Sequence, residues 1–141
     1  MKIITQKALL IWTLLIFILS VLPGKDLPSY TFWEFLTLDK IGHWFFYGIH
    51  CLIIIKLFII QNINIKRNKI YFFSFLISCA YGILMEIIQG AFFESRVADY
   101  KDVIANTIGI IIAILISPKT ENLPEKFYLM IKNLFKKNGL S

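Results

Sequence analysis

Four long apolar stretches constrain this sequence more than any other feature. They cover residues 8–22, 41–60, 70–88 and 103–116, and short connections separate them. A helix needs about 20 residues to cross roughly 30 Å of hydrocarbon, and apolar stretches of this length are typical of membrane spans. The pattern predicts an all-α fold, a four-helix transmembrane bundle with no room for a second globular domain.

The composition agrees with a membrane protein, because 57% of the residues are hydrophobic and only 17% are charged. Soluble domains carry about a quarter charged residues. The first stretch follows Lys2 and Lys7, as in a secretory signal peptide, but residues 20–22 do not form a small-x-small cleavage site and further spans follow. We therefore expect an uncleaved first helix.

The fourth stretch is short for a span, so we expect its helix to include Tyr100 and Asp102 at its beginning. Pro118 is expected to mark the end of this helix, because proline lacks the amide hydrogen that a continuing helix needs. The predicted transmembrane domain accordingly covers residues 1–117.

Residues 118–141 are predicted to form a cytoplasmic tail with an amphipathic helix that lies on the inner leaflet. The apolar residues that share one face of this helix are Phe127, Ile131, Leu134 and Phe135. A helix with one apolar and one basic face is typical of interfacial binding. The alternative is a frayed tail that only keeps this end of the chain soluble.

The net charge of +6 is distributed unevenly along the chain. If the amino terminus is cytoplasmic, the outer segments contain only Lys25, Lys40, Arg96 and Lys101 of the 15 basic residues. An excess of lysine and arginine on the cytoplasmic side is the usual pattern of membrane proteins. The charges therefore predict a multi-pass protein with both termini cytoplasmic, and they require no nucleic-acid partner.

Aromatic residues cluster in the outer loop between the first two predicted helices. They are Tyr30, Phe32, Trp33 and Phe35. Aromatic rings with a polar edge are enriched at the level of the lipid headgroups. We expect a short interfacial helix in this loop, in contact with membrane lipids.

Polar residues recur at helical spacing along three of the four predicted spans. Steps of three and four residues return to the same face of a helix with 3.6 residues per turn. The residues are Asp39, His43, Tyr47 and His50 in the second helix, Ser78, Gly82, Glu86 and Gln89 in the third, and Asp99, Asp102, Asn106, Gly109 and Ala113 in the fourth. Each of these helices is expected to turn a polar face toward the bundle interior.

The three polar faces are expected to meet at one depth in the membrane. Asp39 and His43 open the second helix, Glu86 lies near the end of the third, and Asp102 and Asn106 open the fourth. The second and fourth helices begin at the outer side of the membrane, while the third helix runs toward that side. The side chains should therefore converge within about two turns of the outer boundary.

Ionisable side chains inside a span need partners, since each costs about 2.5–3.5 kcal/mol at the bilayer centre on insertion scales. The cations available to the carboxylates are Lys40, His43 and Arg96. Gly82 and Gly109 would let the helix backbones approach closely, as helix pairs in lipid generally require. A tightly packed polar region is the expected result.

The ordered set of motifs resembles the VanZ-like family of small bacterial integral membrane proteins over about residues 8–117. The motifs that carry the resemblance are Ser20-x-x-Pro23, Asp39-Lys40-x-x-His43 with Tyr47, Tyr81-Gly82-x-x-x-Glu86-x-x-Gln89, and Arg96 with Asp99, Asp102, Asn106 and Gly109. The chain departs from the family at Glu94-Ser95, where a Pro-Gly-like turn is usual, and at Ala113, where a second glycine is common.

The resemblance implies a protein of the bacterial cytoplasmic (inner) membrane that belongs to the cell envelope. It also implies a link with glycopeptide resistance, because the relative that names the family gives low-level resistance to the lipoglycopeptide teicoplanin. The family does not define a mechanism, so the chemistry has to be inferred from the residues.

The first functional hypothesis is an enzyme that acts on a lipid-linked substrate of the cell envelope. The candidate catalytic residues are Asp39, His43, Glu86 and Asp102, and the candidate substrate-binding residues are Tyr47, Gln89, Arg96 and Asn106. A carboxylate and a histidine suit acid-base chemistry. Asp39, His43 and Asp102 also suit a divalent cation that polarises a phosphate, and Arg96 would clamp an anionic headgroup.

Two other hypotheses use the same residues without catalysis. In one, the polar pocket is a binding or shielding module that holds an amphiphile or an antibiotic, with the aromatic loop against its acyl chain or sugar. In the other, the polar side chains form a buried hydrogen-bonded network, including Asp99, that only fixes helix order and register. His50 lies deeper and is expected to be a satisfied core histidine.

Overall fold

The computed structural model of the chain describes residues 1–21, 38–61, 65–92 and 99–120. These residues form four α-helices and no strand, which confirms the predicted all-α fold. The helices are α1 (Lys2–Val21), α2 (Leu38–Ile60), α3 (Arg67–Phe92) and α4 (Tyr100–Thr120). The aromatic outer loop, Arg96 and the predicted amphipathic tail lie outside the described residues.

Each of the four helices is long and apolar enough to cross a membrane. Large apolar side chains cover their outer surfaces, and Leu10, Phe45, Ile87 and Leu115 are each more than half exposed. Such a surface is stable against lipid hydrocarbon but not against water. The chain is therefore a multi-pass membrane protein.

The beginning of α4 agrees with the prediction, whereas its end does not. Asp99 precedes the helix, and its Oδ1 accepts a hydrogen bond of 2.9 Å from the backbone N–H of Lys101, as an N-cap residue does. Pro118 does not mark the end of the helix, which continues to Thr120. A proline so close to the end removes only one backbone hydrogen bond, so the last turn can still form.

The helix α2 packs against all three other helices and most extensively against α4. At the α2–α4 crossing, Gly109 lies against the backbone of α2. A Cβ atom at Gly109 would stand 2.7 Å from the Cα of Trp44, and one at Gly48 would stand 3.1 Å from the Gly109 carbonyl oxygen. The predicted close approach at Gly109 is confirmed, and Gly48 contributes the facing surface.

Hydrogen bonds hold α1, which is otherwise the most exposed helix, against the bundle. Trp12 Nε1 donates to the Phe46 carbonyl of α2 at 2.9 Å. From α3, the Tyr81 hydroxyl donates to the Thr13 carbonyl at 2.7 Å, and Gln89 Nε2 donates to the Ser20 carbonyl at 2.9 Å. These bonds fix the position of α1 where few of its side chains are buried.

Candidate functional site

Polar side chains from three helices gather where α2 and α4 begin and α3 ends. We call these side chains the polar cluster, and its members are Asp39, Lys40, His43, Glu86, Asp99, Asp102 and Asn106. The hydrogen bonds and ion pairs that join them connect residues far apart in the sequence. Six of these residues were predicted from the sequence as members of a site or of a buried network. The structure brings them together at one end of the bundle, with Lys40 among them.

Lys40 lies at the centre of the polar cluster and is only 6% exposed. Its Nζ atom is 3.0 Å from Asp99 Oδ2 and 3.5 Å from Asp39 Oδ2, and it makes a very short contact with Asp102 Oδ1. The sequence identified Lys40 as an available cation and as part of the motif Asp39-Lys40-x-x-His43, without a partner for it. The structure shows that this ammonium group ties the first turn of α2 to the beginning of α4.

His43 is oriented by a hydrogen bond between its Nδ1 atom and Asn106 Oδ1, at 2.9 Å. Because an amide oxygen only accepts hydrogen bonds, Nδ1 carries the proton in this arrangement. The other ring nitrogen, Nε2, faces two carboxylates, at 3.8 Å from Asp39 Oδ1 and 3.7 Å from Asp102 Oδ1. These three atoms form the one set in the described part of the chain that could hold a metal ion.

Glu86 connects the end of α3 to the beginning of α4. Its side chain is buried, and its Oε2 accepts a hydrogen bond of 3.3 Å from the backbone N–H of Asp99. Although partial burial disfavours the charged form of Asp99, the backbone N–H of Lys101 and the ammonium group of Lys40 hold the pKa of this carboxyl below its usual range. Asp99 is therefore an anion at neutral pH.

The polar cluster has a closed base and an open rim. The side chains of Lys40 and Asp102 are 8% and 12% exposed, whereas those of Asp39 and Asp99 are each 38% exposed. A small polar ligand could therefore reach Asp39 and Asp99 at the rim. His43, with 13% of its side chain exposed, lies just beneath them.

Carboxylates outnumber the basic groups in the described part of the polar cluster. Four carboxyl groups share the site with the ammonium group of Lys40 and the imidazole of His43, and the charge of Lys101 also acts on Asp99. Buried charges normally occur in pairs, because an unpaired one carries a large desolvation penalty. Arg96, the other cation that the sequence offered to these carboxylates, lies outside the described residues.

Asn106 is 2% exposed, and its Nδ2 atom has no hydrogen-bond partner among the described residues. Gly82 provides the space for this amide, since a Cβ atom there would lie 3.0 Å from Nδ2 and 3.2 Å from the Tyr47 ring. An unpaired buried polar group costs about 1–3 kcal/mol. Buried polar groups without a partner are few in native structures.

Of the other candidate binding residues, the two that the structure describes surround the polar cluster rather than line it. Tyr47 is buried one turn below His43, and the two rings stack at 6.2 Å with 9° between their planes. Gln89 is buried too, but the hydrogen bond that the structure shows for it goes to Ser20 of α1. Both residues support the helices that carry the cluster.

His50 lies deeper in the bundle and has a partner for each ring nitrogen. Its Nδ1 is 3.1 Å from Ser78 Oγ, and its Nε2 is 3.3 Å from Thr13 Oγ1. The ring also stacks on Tyr81. His50 is a satisfied core histidine, as the sequence predicted.

The fold and the polar cluster together define a class, a small multi-pass membrane protein with a histidine-containing acidic site at one end of its helices. The model of the VanZ/LLP1 family matches residues 7–120, and the chain belongs to this family. No curated protein and no solved structure matches the chain.

Proposed function

We propose that this VanZ-family protein is an enzyme of the outer leaflet that acts on the polar head of a lipid-linked cell-envelope substrate. The convergence of His43 with carboxyl groups of three helices, two of them at a partly exposed rim, is the observation that carries this proposal. A histidine beside several carboxyl groups is suited to proton transfer with a polar ligand. The substrate would approach from the lipid and present its head to Asp39 and Asp99.

The orientation of the polar cluster follows from the charges of the connecting segments. Lysine and arginine concentrate on the side of the termini, which favours a cytoplasmic location for both ends in a bacterial inner membrane. With four spans, the beginnings of α2 and α4 then face the outside. The site would accordingly meet substrates of the cell envelope rather than soluble cytoplasmic metabolites.

His43 has the geometry of an acid-base group. Its Nδ1 is committed to Asn106, so Nε2 is the nitrogen that can exchange a proton with a substrate. Glu86 offers a second carboxyl group at the buried end of the site. One group would take a proton from the attacking oxygen, and the other would deliver one to the leaving group.

A purely structural network explains the polar cluster less well. Such a network would be expected to satisfy its buried amides. Here Asn106 Nδ2 has no partner in the described part of the chain. This feature fits a site that is completed by a ligand.

The test is to reconstitute the purified protein in vesicles with lipid-linked sugar and peptide precursors and to follow product formation. His43→Gln should lower the turnover by about 100- to 10,000-fold, as expected for loss of an acid-base group. Glu86→Gln should act in the same direction. The matched control is Glu121→Gln, which removes a carboxylate far from the cluster in the sequence and should leave the turnover unchanged.

The possible results separate the three functions. Thermal melting in detergent would show whether each variant still folds. Binding of the precursor without any product in the wild type would contradict catalysis and support a shielding module. Variants that merely unfold, with no product from the wild type, would support the structural network.

Glycopeptide resistance would be a cellular consequence of this chemistry. Expression of the wild type in a susceptible bacterium should raise the teicoplanin concentration that stops growth, and expression of His43→Gln should not. Equal protection by both proteins would show that the polar cluster is not responsible.

A further inference from the structure

Three ligand atoms of the polar cluster converge on one point from two helices. They are Asp39 Oδ1, His43 Nε2 and Asp102 Oδ1, and all lie within 4.8 Å of one another. The two distances from Nε2 are 3.8 and 3.7 Å. Ligands of a tetrahedral ion with bonds of about 2.0–2.2 Å lie roughly 3.3–3.6 Å apart. Small side-chain rotations therefore suffice to close a coordination shell.

The orientation of His43 supports this set independently of the carboxylates. In metal sites a ligating histidine usually donates its other ring N–H to an oxygen, which fixes the ring and its tautomer. His43 donates its Nδ1–H to Asn106 Oδ1 at 2.9 Å, and the side chain that accepts this bond belongs to a residue that is only 2% exposed. Nε2 then faces two carboxylate oxygens, and a metal ion between them would be bound by all three atoms.

We propose that Asp39, His43 and Asp102 bind a divalent transition metal, with Zn²⁺ as the expected ion. An imidazole with two carboxylates suits zinc, whereas calcium and magnesium prefer oxygen ligands alone. Three protein ligands leave a position open for water or substrate, as in catalytic zinc sites. Asp39 is the most exposed of the three ligands, so this position faces the rim.

Lys40 is the internal competitor of the metal ion. Its ammonium group contacts Asp102 Oδ1, the same oxygen that faces His43 Nε2. When the ion binds, Lys40 retains its partner Asp99 Oδ2, at 3.0 Å. The lysine thus neutralises part of the cluster without the ion, and the ion replaces it at Asp102.

This inference rests on the proposed function only for what the ion would do in the reaction, since its binding is measured without turnover. The two roles of His43 Nε2 are alternatives, because a nitrogen that binds a metal ion cannot exchange a proton. With the ion bound, proton transfer would be left to Glu86 and to a water molecule in the open position. The experiment is calorimetric titration of Zn²⁺ into the purified, chelator-treated protein in detergent micelles. The wild type should bind one ion.

Asp39→Asn should weaken zinc binding at least tenfold, and because Asp39 is partly exposed this variant should still fold. Asn106→Ala should weaken it by about 10- to 100-fold, as loss of a residue that orients a metal ligand does.

Two further variants make the result specific. His50→Gln removes a histidine outside the cluster and should leave zinc binding unchanged. Lys40→Met removes the competing ammonium group and should bind zinc at least as tightly as the wild type, with a larger rise of the melting temperature on zinc addition. The inference is overturned if the wild type binds no zinc, or if Asp39→Asn binds it as well as the wild type.

Absence of zinc binding and absence of enzyme turnover can be told apart, because they are measured separately. Turnover of a lipid-linked precursor by a wild type that binds no zinc would overturn the metal site and leave the enzyme standing. Zinc binding that depends on Asp39 supports the metal site even if no precursor is converted.

Discussion

At the scale of single residues, Lys40 determines how the polar cluster holds together. It is the basic group that three of the carboxylates share, at Asp39, Asp99 and Asp102. Sequence spacing did not reveal this role. Adjacent residues in a helix point about 100° apart, so Lys40 does not lie on the helix face that carries Asp39. Its long side chain nevertheless reaches Asp99 and Asp102, which lie 59 and 62 positions further along the chain.

Replacing Lys40 by methionine should destabilise the protein in the absence of metal. The change leaves buried Asp102 without its counter-ion, and breaking a buried pair costs about 3–5 kcal/mol. The measurement is the melting temperature in detergent micelles after chelation. Lys56→Met removes a lysine outside the cluster and should have a much smaller effect, and equal effects of the two changes would contradict the central role of Lys40.

Gln89 shows the limit of periodicity as a guide to function. Its three-residue step from Glu86 predicted a place in the site, yet its amide bonds the backbone of α1 at Ser20. A polar face near the end of a helix can serve two neighbours, and local spacing does not say which neighbour each residue meets. Asp39, His43, Asp102 and Asn106 were predicted to converge because all four lie in the first turns of their helices.

At the scale of elements, the crossing of α2 and α4 positions the polar cluster. Gly109 and Gly48 remove the side chains that would hold these helices apart. The sequence predicted the importance of Gly109 from its place on a polar face. Gly48 stood in an apolar run, and its partner lies 61 residues away, so no local pattern identified it.

Gly109→Ala should separate α2 from α4 and lower the stability. The added Cβ atom would stand 2.7 Å from the Cα of Trp44, which is backbone and cannot rotate away. Overpacking of this kind typically costs about 1–3 kcal/mol. Gly42→Ala, on α2, is the matched control, since nothing lies within 4 Å of a Cβ atom there. Equal melting temperatures of the two variants would contradict the close crossing.

The attachment of α1 can be tested through Tyr81. Tyr81→Phe removes the hydroxyl that donates to the Thr13 carbonyl, and interhelical hydrogen bonds in membranes average about 0.6 kcal/mol. We expect a small loss of stability and faster proteolysis of α1 in detergent. Tyr100→Phe removes an exposed hydroxyl and should leave both unchanged. An equal response to the two changes would mean that this hydrogen bond does not hold α1.

At the scale of the whole molecule, the four apolar helices of the described residues carry an acidic, histidine-containing site at one end. The helices were predictable, because apolar length alone determines which segments cross a bilayer. The depth of the site was also predictable, since alternate helices run in opposite directions. The pairing of individual charges was not, because it depends on side-chain reach across helices rather than on spacing within one.

Paired cysteines test most directly whether side chains of separate spans meet at the outer face. In a variant whose free Cys51 and Cys79 are replaced by alanine, Asp39→Cys and Asp99→Cys would place one thiol on α2 and one immediately before α4. A short bifunctional thiol reagent that cannot cross membranes should link them in intact cells. Linkage only after the cytoplasmic side is opened, or no linkage at all, would contradict the account.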